Sequence, residues 1–248
     1  MIKGALLNYL KEGSFPELVL EDSVVKKKRL IQDYFRTIIS RDIGERYRVK
    51  KINLLTDFLR LLLNSTYSSI NKNVNILKSQ GKKVGKETII NYSKYAEEVY
   101  FCFFVPIFSY KIKSQEQYPK KVYLVDNAFI TNLSLRFSKD YGRLYENSVF
   151  LALKRKQVLN PSIEIFYWKS LNEEVDFVIK QGKVKQLIQV CYNIEDYDTK
   201  KRELRALLKA SKELKCKNLV VITEDYEAIE KLKGKKIKFV PLWKWLLK

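Results

Sequence analysis

Apolar and polar positions alternate most clearly in two runs joined by Gly182-Lys183: EEVDFVIKQ before the pair and VKQLIQVCY after it. The pattern predicts a β-hairpin, with glycine at the first central position of a two-residue turn. Counting outward pairs Gln181 with Val184, Ile179 with Gln186, Phe177 with Ile188 and Asp176 with Gln189. Val175, Phe177 and Ile179 then share a face with Val184, Ile188, Val190 and Tyr192, while Asp176 and Val178 share the other with Leu187, Gln189 and Cys191. An aspartate in mid-strand between valine and phenylalanine is costly to bury without a partner or a cation, which marks Asp176 as a candidate functional residue.

The remaining pattern divides the chain into three parts. Residues 1–52 read as helical: a short helix before Gly13, a turn over Gly13-Ser14-Phe15-Pro16-Glu17, and a longer helix from about Val24 to Glu45 with Leu30, Tyr34 and Ile38 on one stripe. Residues 53–137 carry the punctuation of a winged helix. Leu54–Leu63 form one helix, Ser69 caps a second that ends at Gly81, and a third runs from Glu87 to about Phe103. Two strands, Ile107–Lys113 and Lys121–Val125, follow, with Ser114–Lys120 as the wing. The third helix would expose Lys86, Asn91, Tyr92, Lys94 and Tyr95 to nucleic acid, and the wing Lys111, Lys113, Lys120 and Lys121. The competing reading is a domain that only mediates protein contacts.

Residues 138–248 alternate between the two periods. A helix from about Leu144 to Lys156 precedes a strand at Ile163–Trp168 and the hairpin. A helix from Thr199 (cap Asp198) to Lys215, a strand Asn218–Thr223, a short helix Tyr226–Lys233 and a strand Ile237–Val240 follow. The fold class expected is α/β (α+β): helical and winged-helix parts, then a mixed sheet covered by helices. On the first of these helices Glu146 is the acid best placed to approach the hairpin, unless it is an ordinary first-turn glutamate favoured by the helix dipole.

Composition narrows the chemistry. With 248 residues, 46% of them hydrophobic, the chain can fill two cores and is not disordered. Histidine is absent, which removes serine–histidine and cysteine–histidine catalysis and histidine-bearing metal sites. Cys102, Cys191 and Cys216 have no C-x-x-C spacing, so a reducing cytoplasm is expected rather than a disulfide framework. The longest apolar run, Val99–Phe108, is about half of a membrane span, and MIKGALLNYLKEG meets charge too early for a signal peptide. The net charge of +20, in excess in all three parts, points to a polyanion, most simply nucleic acid. Lysine-rich surfaces also serve solubility and thermostability, and Lys26-Lys27-Lys28-Arg29 reads equally as a phosphate contact or a solvated helix start. The stretch Gly81–Thr88 imitates a phosphate-binding loop, but it has three residues between its glycines instead of four, and glutamate where a hydroxyl should hold magnesium. No nucleotide site is expected.

Glu146 on a helix, Asp176 on one strand and Gln189-Val190-Cys191 on the next resemble the PD-(D/E)XK nuclease superfamily. The whole chain resembles the C-terminal part of archaeal-type P-loop (AAA+-like) ATPases, through GSFPE, SRDIGER at Ser40–Arg46, TIINYSKYAEE at Thr88–Glu98, KVYLVDNAF at Lys121–Phe129, YENSVFLAL at Tyr145–Leu153 and EEVDFVI at Glu173–Ile179. In those proteins a nucleotide-binding core precedes such segments. The resemblance therefore implies a truncated relative or a standalone module without ATPase activity, one that would act with a separate ATPase or as a homo-oligomer. It also implies Mg2+ or Mn2+ held by Glu146 and Asp176 if the site is active, with Gln189 as a weaker ligand or water-positioner.

One position departs from the superfamily pattern: Cys191 stands where active members carry lysine. Losing an electrostatic stabiliser costs on the order of 10²–10³ in rate. Lys185, from the hairpin, or Lys200 or Lys201, at the start of the next helix, would have to supply the cation. Two readings follow: a metal-dependent nuclease, and a non-catalytic DNA-binding or assembly module that keeps the nuclease fold as a scaffold.

Overall fold

The computed structural model describes residues 2–135 and 141–247. Their contacts form two units, a helical one of residues 7–104 and 119–135 and a sheet unit of residues 2–6, 105–118 and 141–247. The fold is mixed α and β, helices preceding a mixed sheet. No helix among the described residues is long and apolar enough to cross a membrane.

The helical unit takes up the chain within α1 (Ile2–Glu12), which ends at Gly13, whose φ of +84° suits glycine. A Cβ there would lie 1.8 Å from Asp126 Oδ1. Buried Asp126 explains this close approach: its Oδ2 accepts the Ser14 N–H and Oγ–H, both at 2.7 Å, and its Oδ1 accepts the Ala128 N–H at 2.7 Å. Phe15, just before α2 (Pro16–Leu20), meets Phe129 edge-on. The GSFPE and VDNAF segments, remote in sequence, are two halves of one contact.

The single helix expected over Val24–Glu45 is α3 (Val24–Thr37) running into a π-helix, Ile38–Glu45. Gly44 within it packs so closely that a Cβ would meet the Ile39 carbonyl oxygen at 2.8 Å. Next, α4 (Ile52–Leu63) buries Leu54, Leu55, Phe58, Leu59, Leu62 and Leu63, because the π-helix and three later helices pack around it. β1 (Tyr67–Ser68), α5 (Ile70–Ser79) and α6 (Lys86–Glu98) follow, with Ser69 Oγ accepting the Lys72 N–H as the α5 cap. α6 stops at Glu98 instead of Phe103; Tyr100 turns with φ +57°, and Phe103 lies in β2 (Cys102–Val105). α7 (Ile112–Gln117) lies in the part of the chain that joins the sheet unit. β3 (Lys120–Leu124) pairs antiparallel with β1, giving the order β1-β3-β2, and leads to α8 (Asn127–Leu133).

The segment expected as strand and wing is otherwise employed. Only Ile107 bridges, parallel to Tyr167; the Phe108 N–H donates to the Tyr167 carbonyl, and the Tyr167 N–H to that of Pro106. Lys111 and Lys113, at the start of α7, are therefore exposed residues of the sheet unit and not of a wing.

The sheet unit follows α9 (Tyr141–Leu159) with β4 (Glu164–Ser170), β5 (Glu173–Gln181), β6 (Lys183–Cys191), α10 (Tyr197–Glu213), β7 (Leu219–Thr223), β8 (Ala228–Leu232), β9 (Lys235–Pro241) and α11 (Leu242–Leu246). Strand order is β4-β5-β6-β7-β9-β8, with β6, β7 and β9 parallel and the other neighbours antiparallel. α10 packs on β5 and β6, closing a core of Val178, Leu187, Leu204, Leu207, Val221 and Phe239 among others. Both faces of the hairpin are buried, since Phe177 and Ile188 are also inaccessible.

Three expectations are corrected here. The register holds from Phe177 to Ile179, but Gln181 pairs with Lys183 and Lys180 with Val184, because Gly182 turns in the left-handed region (φ +66°) and Lys185 becomes the extra residue of a bulge. α10 begins at Tyr197 and is capped by Asp196, whose Oδ1 accepts the Thr199 N–H at 2.8 Å, in place of Asp198. The helix expected at Tyr226–Lys233 is β8: Lys233 and Gly234 both take positive φ, a tight hairpin turn, and β9 supplies the ladder.

Candidate functional site

The carboxylate, amide and thiol of the hairpin face α10. Asp176, 7% exposed, accepts the Val190 N–H at Oδ2 (2.8 Å), and its own N–H donates to Gln189 Oε1 (3.3 Å). The Gln189 amide donates onward to Glu203 Oε2 on α10 at 2.6 Å, and Glu203 Oε1 accepts from Arg202 Nε and Nη2 at 3.0 and 2.7 Å. Cys191 is buried beside this chain of bonds. Desolvation pushes its thiol up to about 12, and the Glu203 and Asp176 charges add to the shift. At neutral pH it is a neutral thiol.

The other candidate groups lie on α9, in the bulge and on α10. Glu146 is half-buried on α9 between buried Tyr145 and Asn147. Lys185 is exposed in the bulge, four residues along β6 from Gln189, or about 13 Å at the usual rise per residue. Lys200 pairs with Glu230 at 2.6 Å above the Tyr226 ring, and Lys201 lies over Tyr197. The structure brings Asp176, Gln189 and Cys191 together and adds Glu203, which the sequence reading missed. It does not bring Lys185 to them.

Magnesium and manganese require several oxygens in regular geometry. Asp176 Oδ2 is engaged by a backbone N–H, both ends of the Gln189 amide are engaged, and Cys191 offers an uncharged sulfur. Among the described residues, no three aspartate, glutamate or cysteine side chains converge to hold an ion.

The basic residues expected to meet nucleic acid divide by exposure. Lys86, Lys94 and Lys120 are exposed, Lys94 near Glu98, and Asn91 is half-buried. Tyr92 is buried against Phe58, its hydroxyl 3.4 Å from the Lys51 carbonyl, and Tyr95 stacks on Tyr47. Lys121 is buried over the Tyr67 ring, so the strand start expected to be open is not. An open cleft of about 490 Å³ in the helical unit is lined instead by Lys50, Lys51, Lys82 and Lys83, with Ile52, Asn53, Leu54 and Gly81. Lys82 reaches Asp57 at 2.7 Å, and no carboxylate pairs with the other three among the described residues.

Residues 3–140 match the family described as "Domain of unknown function (DUF8612)". The chain belongs to the DUF8612 family. Its remainder, residues 141–245, matches a second "Domain of unknown function (DUF4143)", found in AAA-ATPase-associated C-terminal domains. An uncharacterized protein of Methanocaldococcus jannaschii, MJ1544, is 39% identical over 257 residues, a match covering 99% of this chain. The chain spans 57% of that relative's length.

The lysine cleft lies in the DUF8612 region and the carboxylate–amide–thiol group in the DUF4143 region. Its sequence signal was a pair of dilysines, Lys50-Lys51 and Lys82-Lys83, which the fold joins across α4 and α5. Cys102, Cys191 and Cys216 are all buried, and burial raises all three thiols. A raised pKa lowers the thiolate fraction below that of a free cysteine, and burial blocks access. Titration with a thiol reagent at pH 8 should find no rapidly reacting group in the native protein and all three in denaturant; a fast native thiol would contradict this packing.

Proposed function

We propose that the chain is a DNA-binding module whose nuclease-like sheet unit serves as a scaffold without cutting. In the helical unit, α4, β1, α5, α6, β2 and β3 follow the order of a winged helix, and the sheet order β1-β3-β2 agrees with it. In the sheet unit, α9-β4-β5-β6-α10-β7 follows the order of a PD-(D/E)XK core.

The observation that carries the reading is the cleft lined by Lys50, Lys51, Lys82 and Lys83, on a chain of charge +20. Four lysines lining one cleft with one carboxylate partner favour a polyanion, and phosphate contacts dominate nucleic-acid affinity. The association of DUF4143 with AAA ATPases supports an ATPase as the partner that the module serves.

The test is a gel shift of labelled duplex DNA in EDTA across a salt series, alongside a cleavage assay with magnesium or manganese. Binding should weaken steeply with salt. Replacing the four cleft lysines by glutamine should reduce the slope of log K against log salt by about 3–4. Neither protein should cut. Cleavage by wild type that is lost in Asp176→Ala would overturn the scaffold reading and restore the nuclease.

A further inference from the structure

A second basic surface lies on the β8–β9 hairpin. Lys231 and Lys236 are directly opposed across the ladder, Lys238 lies two residues further along β9 opposite Ile229, and Lys233 sits at the turn. Alternation puts Lys231, Lys236, Lys238 and Ile229 on one face, while Ile237 and Phe239 point into the core on the other. All four lysines are exposed, and Ile229 is 71% exposed among them.

The carboxylates nearest in sequence are engaged by other groups: Glu230 takes Lys200 and the Tyr226 hydroxyl, and Glu227 takes Lys244. The ion pairs nearest the hairpin among the described residues are Lys200–Glu230 and Lys244–Glu227, and neither uses these four lysines. Like charges directly opposite each other destabilise a hairpin, so the Lys231–Lys236 pair works against the fold that holds it.

We propose that this face of the β8–β9 hairpin is a phosphate-contacting surface, through which the sheet unit grips a nucleic-acid backbone. The inference rests on the DNA-binding reading above. Uncompensated lysines on the outward face of these two strands at the sheet edge supply phosphate contacts without sequence information. The bland role of such lysines is to guard an edge strand, here β8, against pairing with another chain. Lysines on the exposed face of β9, a strand with neighbours on both sides, do not serve that purpose.

The experiment compares wild type with the combined variant Lys231→Gln, Lys236→Gln, Lys238→Gln, using fluorescence anisotropy on a mixed-sequence duplex of about 20 base pairs over a salt series. The variant should retain its circular dichroism spectrum, unfold at or above the wild-type midpoint because the Lys231–Lys236 repulsion is gone, and lose about 2.7 from the slope of log K against log salt. At about 0.1 M salt that slope amounts to affinity lower by on the order of 10²-fold. Wild type binding with the variant keeping its slope overturns the hairpin surface alone. Wild type without salt-dependent binding overturns the DNA-binding reading on which it rests. Unchanged DNA binding with loss of attachment to anionic lipid vesicles, or with new self-association, would assign the lysines to a membrane surface or to edge protection and overturn the inference.

Discussion

Asp126→Ala is expected to destabilise the helical unit by about 2–4 kcal/mol, because one buried and two part-buried donors lose a charged acceptor, each worth about 1–3 kcal/mol at most. The carboxylate is 2% exposed and accepts three hydrogen bonds, two from Ser14 and one that caps α8. Gly13 lies against the same carboxylate, with no side chain to fill the space its loss would leave. Gly13→Ala should approach the same loss from the other side, by driving a methyl into Asp126 and straining a backbone at φ +84°. Ser14→Ala, which removes only the hydroxyl donor, should cost about 1 kcal/mol. Urea unfolding followed by circular dichroism measures all three. A loss below about 1 kcal/mol for Asp126→Ala would mean that water satisfies these donors and that the contact does not hold the two segments together.

That contact shows what was legible in the sequence and what was not. GSFPE and VDNAF stood out as separate short motifs, but nothing local says that Ser14 and Asp126 meet, since their pairing is a tertiary fact. The β5–β6 hairpin was legible because two amphipathic runs and a glycine turn agree, and it erred only at the bulge, where Gly182 took the left-handed conformation and displaced Lys185. Residues 226–233 failed for a physical reason: Ala228-Ile229-Glu230-Lys231-Leu232 has too few apolar residues to distinguish a helical period from an alternating one, and the β9 edge decided the outcome. Ile107–Lys113 failed because its partner is Tyr167, in a strand outside the part of the chain to which it had been assigned.

The candidate site was legible in its residue types and not in its bonding. Asp176, Gln189 and Cys191 could be placed on one face by alternation alone, and they are there. Glu203 could not be found in this way, because its role depends on the turn of α10 that sets it against Gln189. Tyr92 was misread because a tyrosine at helical spacing suits either a binding face or the packing it makes on Phe58.

Asp176 separates the scaffold from the nuclease by the second large effect. If Asp176 holds the hairpin, alanine should cost about 2–3 kcal/mol, since the Val190 N–H loses a buried charged acceptor. Asp176→Asn keeps an oxygen at the same place and should recover most of that stability. Binding to duplex DNA, and its salt dependence, should be the same in both variants as in wild type, because the lysines of the cleft and the β8–β9 hairpin are untouched. A metal ligand behaves in the opposite way: asparagine, lacking the charge, fails almost as badly as alanine, and the defect appears in cleavage and ion affinity before it appears in folding. Thermal unfolding of the three proteins with and without magnesium reads both predictions at once. A wild-type midpoint raised by the ion, with both variants insensitive to it, would place a metal on Asp176 and sink the scaffold reading; equal midpoints with and without the ion, with only alanine lowered, are the result that the Val190–Asp176–Gln189–Glu203 bonds predict.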